Sequence, residues 1–181
     1  YNPCKTRLLL DAEELGIPCS NGLSMLVAQG LRSAEQFPDV TLQNKDIDAV
    51  VKAMLNEQKN IVLIGMPGCG KSTVGKILAK KLQRELLDTD EEIVKADGRT
   101  IPEIFENDGE KFFRVLETDA VEAVGKQLSK IIATGGGAVI KKENRDALKQ
   151  NGTIIYLKKD LSLLSLEGRP LSKDEDAVRK I

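Results

Sequence analysis

The chain has 181 residues, with 27 basic and 28 acidic side chains and a formal net charge of -1, giving a pI near 5.7. That balance excludes a global basic field for nucleic acid or an acidic membrane surface, and no apolar run is long enough to span a bilayer. The absence of histidine excludes His-activated nucleophiles and the usual His-containing zinc sites. The three cysteines, Cys4, Cys19 and Cys69, are too few and too widely spaced for a disulfide framework, and they fit a cytoplasmic protein.

Residues 1–37 carry short apolar pieces, Leu8-Leu9-Leu10 and then Leu23, Leu26, Val27 and Leu31, punctuated by turn signals at Gly16-Ile17-Pro18 and Asn21-Gly22. Pro38 and Asp39 open a polar linker. From Lys45 to Asn56, Ile47, Val50, Val51, Met54 and Leu55 recur at helical spacing. Residues 38–58 therefore read as linker and helix, and a further domain begins at residue 59. The chain opens at Tyr1 without Met and is expected to be a piece of a longer polypeptide.

The run Asn60-Ile61-Val62-Leu63-Ile64 is apolar and β-branched, as a buried strand should be. It leads into Gly65-Met66-Pro67-Gly68-Cys69-Gly70-Lys71-Ser72, the pattern G-x-x-x-x-G-K-S. A helix follows from Thr73 to Leu82, with Val74, Ile77, Leu78 and Leu82 on one face. Glycines let backbone N–H groups approach oxygen anions closely, and the helix N-terminus adds partial positive charge. Lys71 suits the β- and γ-phosphates of a nucleoside triphosphate, and Ser72 suits Mg²⁺. Gly65, Met66, Pro67, Gly68, Cys69, Gly70, Lys71, Ser72 and Thr73 are thus the candidate nucleotide-binding residues. A loop thiol beside Lys71 at a helix N-terminus makes Cys69 the expected reactive cysteine.

A second strand, Glu85-Leu86-Leu87, ends in Asp88-Thr89-Asp90, and a third, Lys130 to Ala133, ends in Thr134-Gly135-Gly136-Gly137. Strands alternating with helices imply a parallel sheet, whose ligands sit beyond the carboxyl ends of the strands. One of the carboxylates of Asp88 and Asp90 would serve Mg²⁺, directly or through water, and the other an acceptor hydroxyl; a solvated strand end with a Thr89 or Asp90 helix cap accounts for the same residues. The glycines offer close backbone contact to a ligand or form a flexible turn. Thr100-Ile101-Pro102-Glu103 is a capping box. A longer helix from Gly109 to Gln127 carries the stripe Phe113, Leu116, Ala120, Val124 and Leu128. Arg114 lies about 100° around from Phe113, placed either to grip a carboxylate with its planar fork or to pair with Glu110 or Glu117 on its own helix.

Taken in order and spacing, Gly65 to Thr73, Leu87 to Asp90, Asp108-Gly109-Glu110 with Phe113-Arg114 and Glu117, Thr134 to Val139, and Gly168-Arg169-Pro170-Leu171 resemble shikimate kinase over about residues 59 to 175. The resemblance implies a nucleoside-monophosphate-kinase-like P-loop α/β fold with a five-stranded parallel sheet, a substrate-binding excursion and a mobile lid. It implies ATP and Mg²⁺, and transfer of the γ-phosphoryl group to the 3-hydroxyl of shikimate. Asp90, Arg114 and Gly135, Gly136 and Gly137 would hold shikimate, with Arg114 on its carboxylate. Asp88 would lie near Mg²⁺, and Arg169 would close over the phosphates. Lys71, Asp90 and Arg169 form the expected catalytic set. Shikimate kinases continue past the lid into a further strand, a second carboxylate-binding Arg and a final helix, whereas this sequence ends at Ile181, so residues 59–181 are read as a kinase domain without its C-terminal end. Tyr1-Asn2-Pro3, Thr6, Leu8-Leu9, Ala12, Gly16 and Asn21 to Gln29 resemble the end of shikimate dehydrogenase, which makes residues 1–37 its remnant and implies covalent continuity with such a domain upstream. Two other readings stand beside this one: another small-metabolite or nucleotide kinase, such as a gluconate or adenylate kinase, and a non-catalytic nucleotide-binding fragment.

Overall fold

The computed structural model describes residues 2–37 and 43–159. Arg169 and the rest of the expected lid lie outside the described residues, as does the linker start at Pro38 and Asp39. Helices α1 (Arg7–Glu14), α2 (Leu23–Ala34) and α3 (Asn44–Gln58) precede β1 (Asn60–Ile64), α4 (Lys71–Leu82), β2 (Leu86–Asp88), α5 (Thr89–Asp97), α6 (Ile101–Gly125), β3 (Ile131–Ala133), α7 (Lys142–Asn151) and β4 (Gly152–Tyr156). The four strands form one parallel sheet in the order β2-β3-β1-β4. The strand β1, which leads into the glycine loop, is thus flanked on both sides.

Strand alternation divides the apolar side chains between two faces. Val62, Ile132 and Leu87 share one row and meet Val121 and Val124 of α6 and Leu148 of α7. Leu63 and Leu86 point the other way and meet Gly75 of α4, where a Cβ would come within 2.8 Å of Leu86 Cδ1. Each fully buried Ile or Leu in these rows contributes about 1.5–3 kcal/mol. The close approach at Gly75 turns α4 so that Lys71 and Gly75 are its buried residues. Ile77 and Leu82, expected on a core-facing stripe, are 62% and 44% exposed.

A second cluster sits between α5 and α6. Ile93, Ile104, Phe113 and Ala120 are buried there, joined by Ile101, Phe105 and Leu116, with the Phe105 and Phe113 rings 4.6 Å apart. The capping box of Thr100 and Glu103 forms as expected. The two helices expected on either side of residue 109 are present within α6, separated by a kink at Gly109 (φ 77°, ψ 176°), a conformation that suits glycine. The sequence reading assigns no element to α7 and β4. The helix α3 forms where its spacing predicts, packs against α2, and has its C-terminal carbonyls held by Arg84.

Residues 2–37 rest on the α/β unit through α1, which packs on α7. Leu10, Leu23, Val27 and Cys4 are buried, while Leu8 and Met25 are 77% and 73% exposed. Among the described residues no helix is long and apolar enough to cross a membrane.

Candidate active site

The carboxyl ends of β1, β2 and β3 carry the chemistry. The loop from Gly65 to Gly70 turns back on itself through glycines with φ of 148° at Gly65, 79° at Gly68 and 99° at Gly70, values open to residues without a Cβ. At Gly65 a Cβ would stand 2.5 Å from the Leu157 carbonyl oxygen and 2.9 Å from Cys69 Sγ. The helix α4 then starts at Lys71, capped by Gly70.

The Lys71 side chain folds back over this loop. Its Nζ donates to the carbonyls of Gly65 at 2.7 Å and Met66 at 2.9 Å, and the residue is 6% exposed. It lies 3.9 Å from Cys69 Sγ. Ser72 Oγ donates to Asp88 Oδ2 at 2.8 Å, joining the loop to the end of β2. Asp88 Oδ1 accepts from the Asp90 N–H at 3.1 Å, so Asp88 is the cap of α5 rather than Thr89 or Asp90. The capping role and the position beside Ser72 use the two oxygens of one carboxylate. Gly68, Gly70, Lys71, Ser72, Thr73, Asp88, Asp90, Glu91 and Thr134 line a cavity of about 340 Å³. Met66 to Cys69 form a turn in which the Cys69 N–H donates to the Met66 carbonyl at 3.2 Å.

Asp90 is also the hinge to a second group of residues. A Cβ on Gly135 would stand 2.6 Å from Asp90 Oδ1 and 3.3 Å from Glu117 Oε1; one on Gly136 would stand 2.6 Å from Pro67 Cγ; one on Gly137 would strike the Arg114 guanidinium, 2.9 Å from its Cζ. The three glycines therefore admit the phosphate loop, the Asp90 carboxylate and the Arg114 fork to one place, and they open a turn in which the Ala138 N–H donates to the Gly135 carbonyl at 3.3 Å. The buried Thr89 fixes their start, because its Oγ1 accepts from the Gly135 N–H at 2.8 Å.

Arg114 pairs with both glutamates of its own helix. Its Nη1 donates to Glu117 at 2.8 Å, and its Nη2 and Nε donate to Glu110 Oε1 at 3.0 and 3.3 Å. Its guanidinium also lies 5.6 Å from the Phe113 ring centroid. Burial acts to lower its pKa, and the hydrogen bonds and charges of Glu117 and Glu110 outweigh that and raise it. The two partners differ: the Glu117 side chain is 2% exposed and that of Glu110 is 56% exposed. Glu117 is therefore a fixed counter-charge, and Glu110 one that solvent or another carboxylate can replace.

Three residues hold this arrangement, of which the sequence marks Thr89 only as a helix-cap candidate, Glu117 only as a partner for Arg114 and Lys141 not at all. Glu117 is a buried anchor, and Lys141 Nζ donates to the Arg114 carbonyl at 3.1 Å and to Thr118 Oγ1 at 3.0 Å. A threonine between two aspartates at a strand end is a signal for the first. The burial of Glu117 and the reach of Lys141 to the Arg114 carbonyl depend on contacts across the fold.

The family model for shikimate kinase matches residues 67–180. The chain belongs to the shikimate kinase family. The shikimate kinase of Caldicellulosiruptor bescii is 45% identical over 128 residues, covering 68% of this chain and 74% of that protein. The shikimate kinase of Dechloromonas aromatica is 39% identical over 139 residues, covering 74% of this chain and 76% of that protein. Among solved structures, shikimate kinase from Acinetobacter baumannii in complex with shikimate superposes with a TM-score of 0.64 at 41% identity, covering 71% of this chain and 74% of that one. The shared fold is the parallel sheet with flanking helices, and the chain is that of a shikimate kinase family enzyme. The chain covers 52% of the shikimate kinase of Hahella chejuensis, to which it is 48% identical over 100 residues.

Proposed function

We propose that this chain transfers the γ-phosphoryl group of ATP to the 3-hydroxyl of shikimate. One observation carries the reading: Gly135, Gly136 and Gly137 bring Asp90, Pro67 of the phosphate loop and Arg114 together within contact distance. A nucleotide-binding loop and a carboxylate-binding fork then face one crevice, as a kinase for a small carboxylated alcohol requires. Gluconate would also present a carboxylate and hydroxyls, and the acceptor assay below separates the two. The solved relative bound to shikimate supports the same choice.

The nucleotide phosphates would lie over the loop amides and the N-terminus of α4. Lys71 would exchange its bonds to the Gly65 and Met66 carbonyls for the β- and γ-phosphates. Ser72 and Asp88 offer a hydroxyl and a carboxylate 2.8 Å apart, an oxygen-only set that fits a Mg²⁺ ion sharing its remaining positions with water and phosphate. Among the described residues no cluster of three acidic, His or Cys side chains could hold a metal alone, consistent with an ion that arrives with the nucleotide. Bound there, Mg²⁺ would neutralise charge on the phosphate oxygens. Asp90 would orient the acceptor hydroxyl, with proton acceptance as a second role. Arg114 would take the acceptor carboxylate in place of Glu110 while keeping Glu117. Arg169 is proposed for the phosphate side.

We further propose that residues 1–37 continue an upstream shikimate dehydrogenase domain, that residues 59–181 are the kinase portion, and that the polypeptide works in the cytoplasm without nucleic acid or membrane partners. The proposal is supported by the residue pattern at Tyr1-Asn2-Pro3 and Asn21 to Gln29. The deciding experiment supplies the full chain with ATP and Mg²⁺ and offers shikimate, gluconate or a nucleoside monophosphate in turn, reading the product by phosphorus NMR. Phosphorylation of shikimate at its 3-position alone is expected. Preference for either other acceptor overturns the reading, and absence of any transfer favours the non-catalytic fragment.

A further inference from the structure

Residues 2–14 are bound along the length of α7, and the contacts centre on two buried polar side chains that the proposed chemistry does not use. Asn151 is 2% exposed. Its Nδ2 donates to Asn2 Oδ1 at 2.9 Å and to the Gly125 carbonyl at 3.0 Å, and its Oδ1 accepts from the Cys4 N–H at 2.7 Å. The neighbouring Gln150 carbonyl accepts from the Lys5 N–H at 2.9 Å, and Asn2 Nδ2 reaches the Lys126 carbonyl at 2.9 Å. Asp146, on the same helix, is 3% exposed. Its Oδ2 has no hydrogen-bond partner among the described residues and faces Arg7 Nη2 at 3.5 Å and Lys142 Nζ at 3.4 Å. Lys142 is held in turn by Glu14 at 2.8 Å. A buried carboxylate is costly without its cations, so Asp146 ties α7 to Arg7 of α1.

The cap and first turn of α7 also hold the turn after β3 and the backbone of Arg114. Asn144 Nδ2 donates to the Ala138 carbonyl at 2.8 Å from a fully buried position. Arg145 Nη1 donates to the carbonyls of Val139 at 2.8 Å and Ile140 at 2.7 Å. Lys141, the cap of α7, holds the Arg114 carbonyl. The helices α6 and α7 also cross closely at Gly125, where a Cβ would come within 2.9 Å of the Ala147 carbonyl oxygen. One rigid helix thus has the N-terminal segment on one side and both the glycine turn and Arg114 on the other.

We infer that residues 2–14 are a brace for the acceptor site: through Asp146 and Asn151 they set the position of α7, and α7 sets the turn at 135–140 and the backbone of Arg114. Arg7 and Asn2 are then positioning residues. Only the kinetic part of the test rests on the shikimate kinase reading.

The test pairs Arg7→Glu with Asn2→Ala in the full chain. Both residues are exposed, so the double variant should fold. Hydrogen exchange read by mass spectrometry should show faster exchange at residues 136–150 as well as at 2–14. The KM for shikimate should rise by roughly threefold, the scale of a coupling carried through packed elements, while the KM for ATP stays put. Arg7→Lys with Asn2 intact should restore both readouts. Faster exchange confined to residues 2–14, or a parallel rise in both KM values, overturns the brace. If the chain phosphorylates no shikimate, the exchange pattern alone decides, so failure of the functional reading and failure of the brace are told apart.

Discussion

The two halves of the proposed site, one for nucleotide and one for acceptor, are built in different ways. The nucleotide half is local: strand, glycine loop and helix follow one another from Asn60 to Leu82, and its geometry comes from backbone conformation at Gly65, Gly68 and Gly70. The acceptor half is assembled from distant pieces. Asp90, Arg114 and Gly135 to Gly137 come from three elements and meet only because Thr89, Glu117 and Lys141 fix them. A local site tolerates change elsewhere and is sensitive to its own residues. An assembled site is sensitive to residues that touch no ligand.

The sharpest way to break the local half is Lys71→Ala. Loss of the charge proposed for the β- and γ-phosphates is expected to lower kcat by about 10²–10³-fold. Because Lys71 is buried and bonded to the Gly65 and Met66 carbonyls, the loop should also become more protease-sensitive without nucleotide. Near-normal turnover would remove Lys71 from the chemistry.

Gly137→Ala tests the assembled half at its narrowest point. The added methyl must displace the flexible Arg114 guanidinium rather than backbone. Stability should change by less than about 1 kcal/mol, and the KM for shikimate should rise about tenfold, one bidentate contact's worth, with the KM for ATP unaltered. A parallel loss in both would mean that the halves are not separable.

Thr89→Val keeps shape and removes the acceptor for the Gly135 N–H. It is expected to cost about 1–3 kcal/mol in a denaturant melt, the penalty for a buried donor left without a partner. An unchanged midpoint would show that the turn is held from elsewhere. The smallest effect is expected from Glu110→Gln. Removing the exposed carboxylate on Arg114 should lower the KM for shikimate by about twofold, since such helix pairs are worth a few tenths of a kcal/mol. A higher KM would make Glu110 a supporting residue instead of a replaceable one.

This difference in construction also explains what could be read in advance. The phosphate loop and the ends of β2 and β3 were visible because each signal spans a few adjacent residues. The convergence of Asp88, Asp90 and the glycines followed from the parallel-sheet rule. Less visible were the burial of Lys71 against its own loop and the switch of the α5 cap to Asp88, since both depend on side-chain choices among equivalent partners. Gly75 overrode the apolar stripe of α4, leaving Ile77 exposed, because close packing on Leu86 outweighs periodicity. The link from Cys4 to Asn151 joins residues 147 positions apart, and no local pattern announces it.

Arg114→Lys tests most directly whether the acceptor half is a separate, assembled site. A lysine keeps the charge beside Glu117 but loses the planar fork. Calorimetric titration of shikimate and of the nonhydrolysable ATP analogue AMPPNP, with Mg²⁺, into the wild-type and variant chains is predicted to show shikimate binding weakened by about tenfold or more and nucleotide binding unchanged. Equal loss for both ligands, or full shikimate affinity in the variant, would contradict the account.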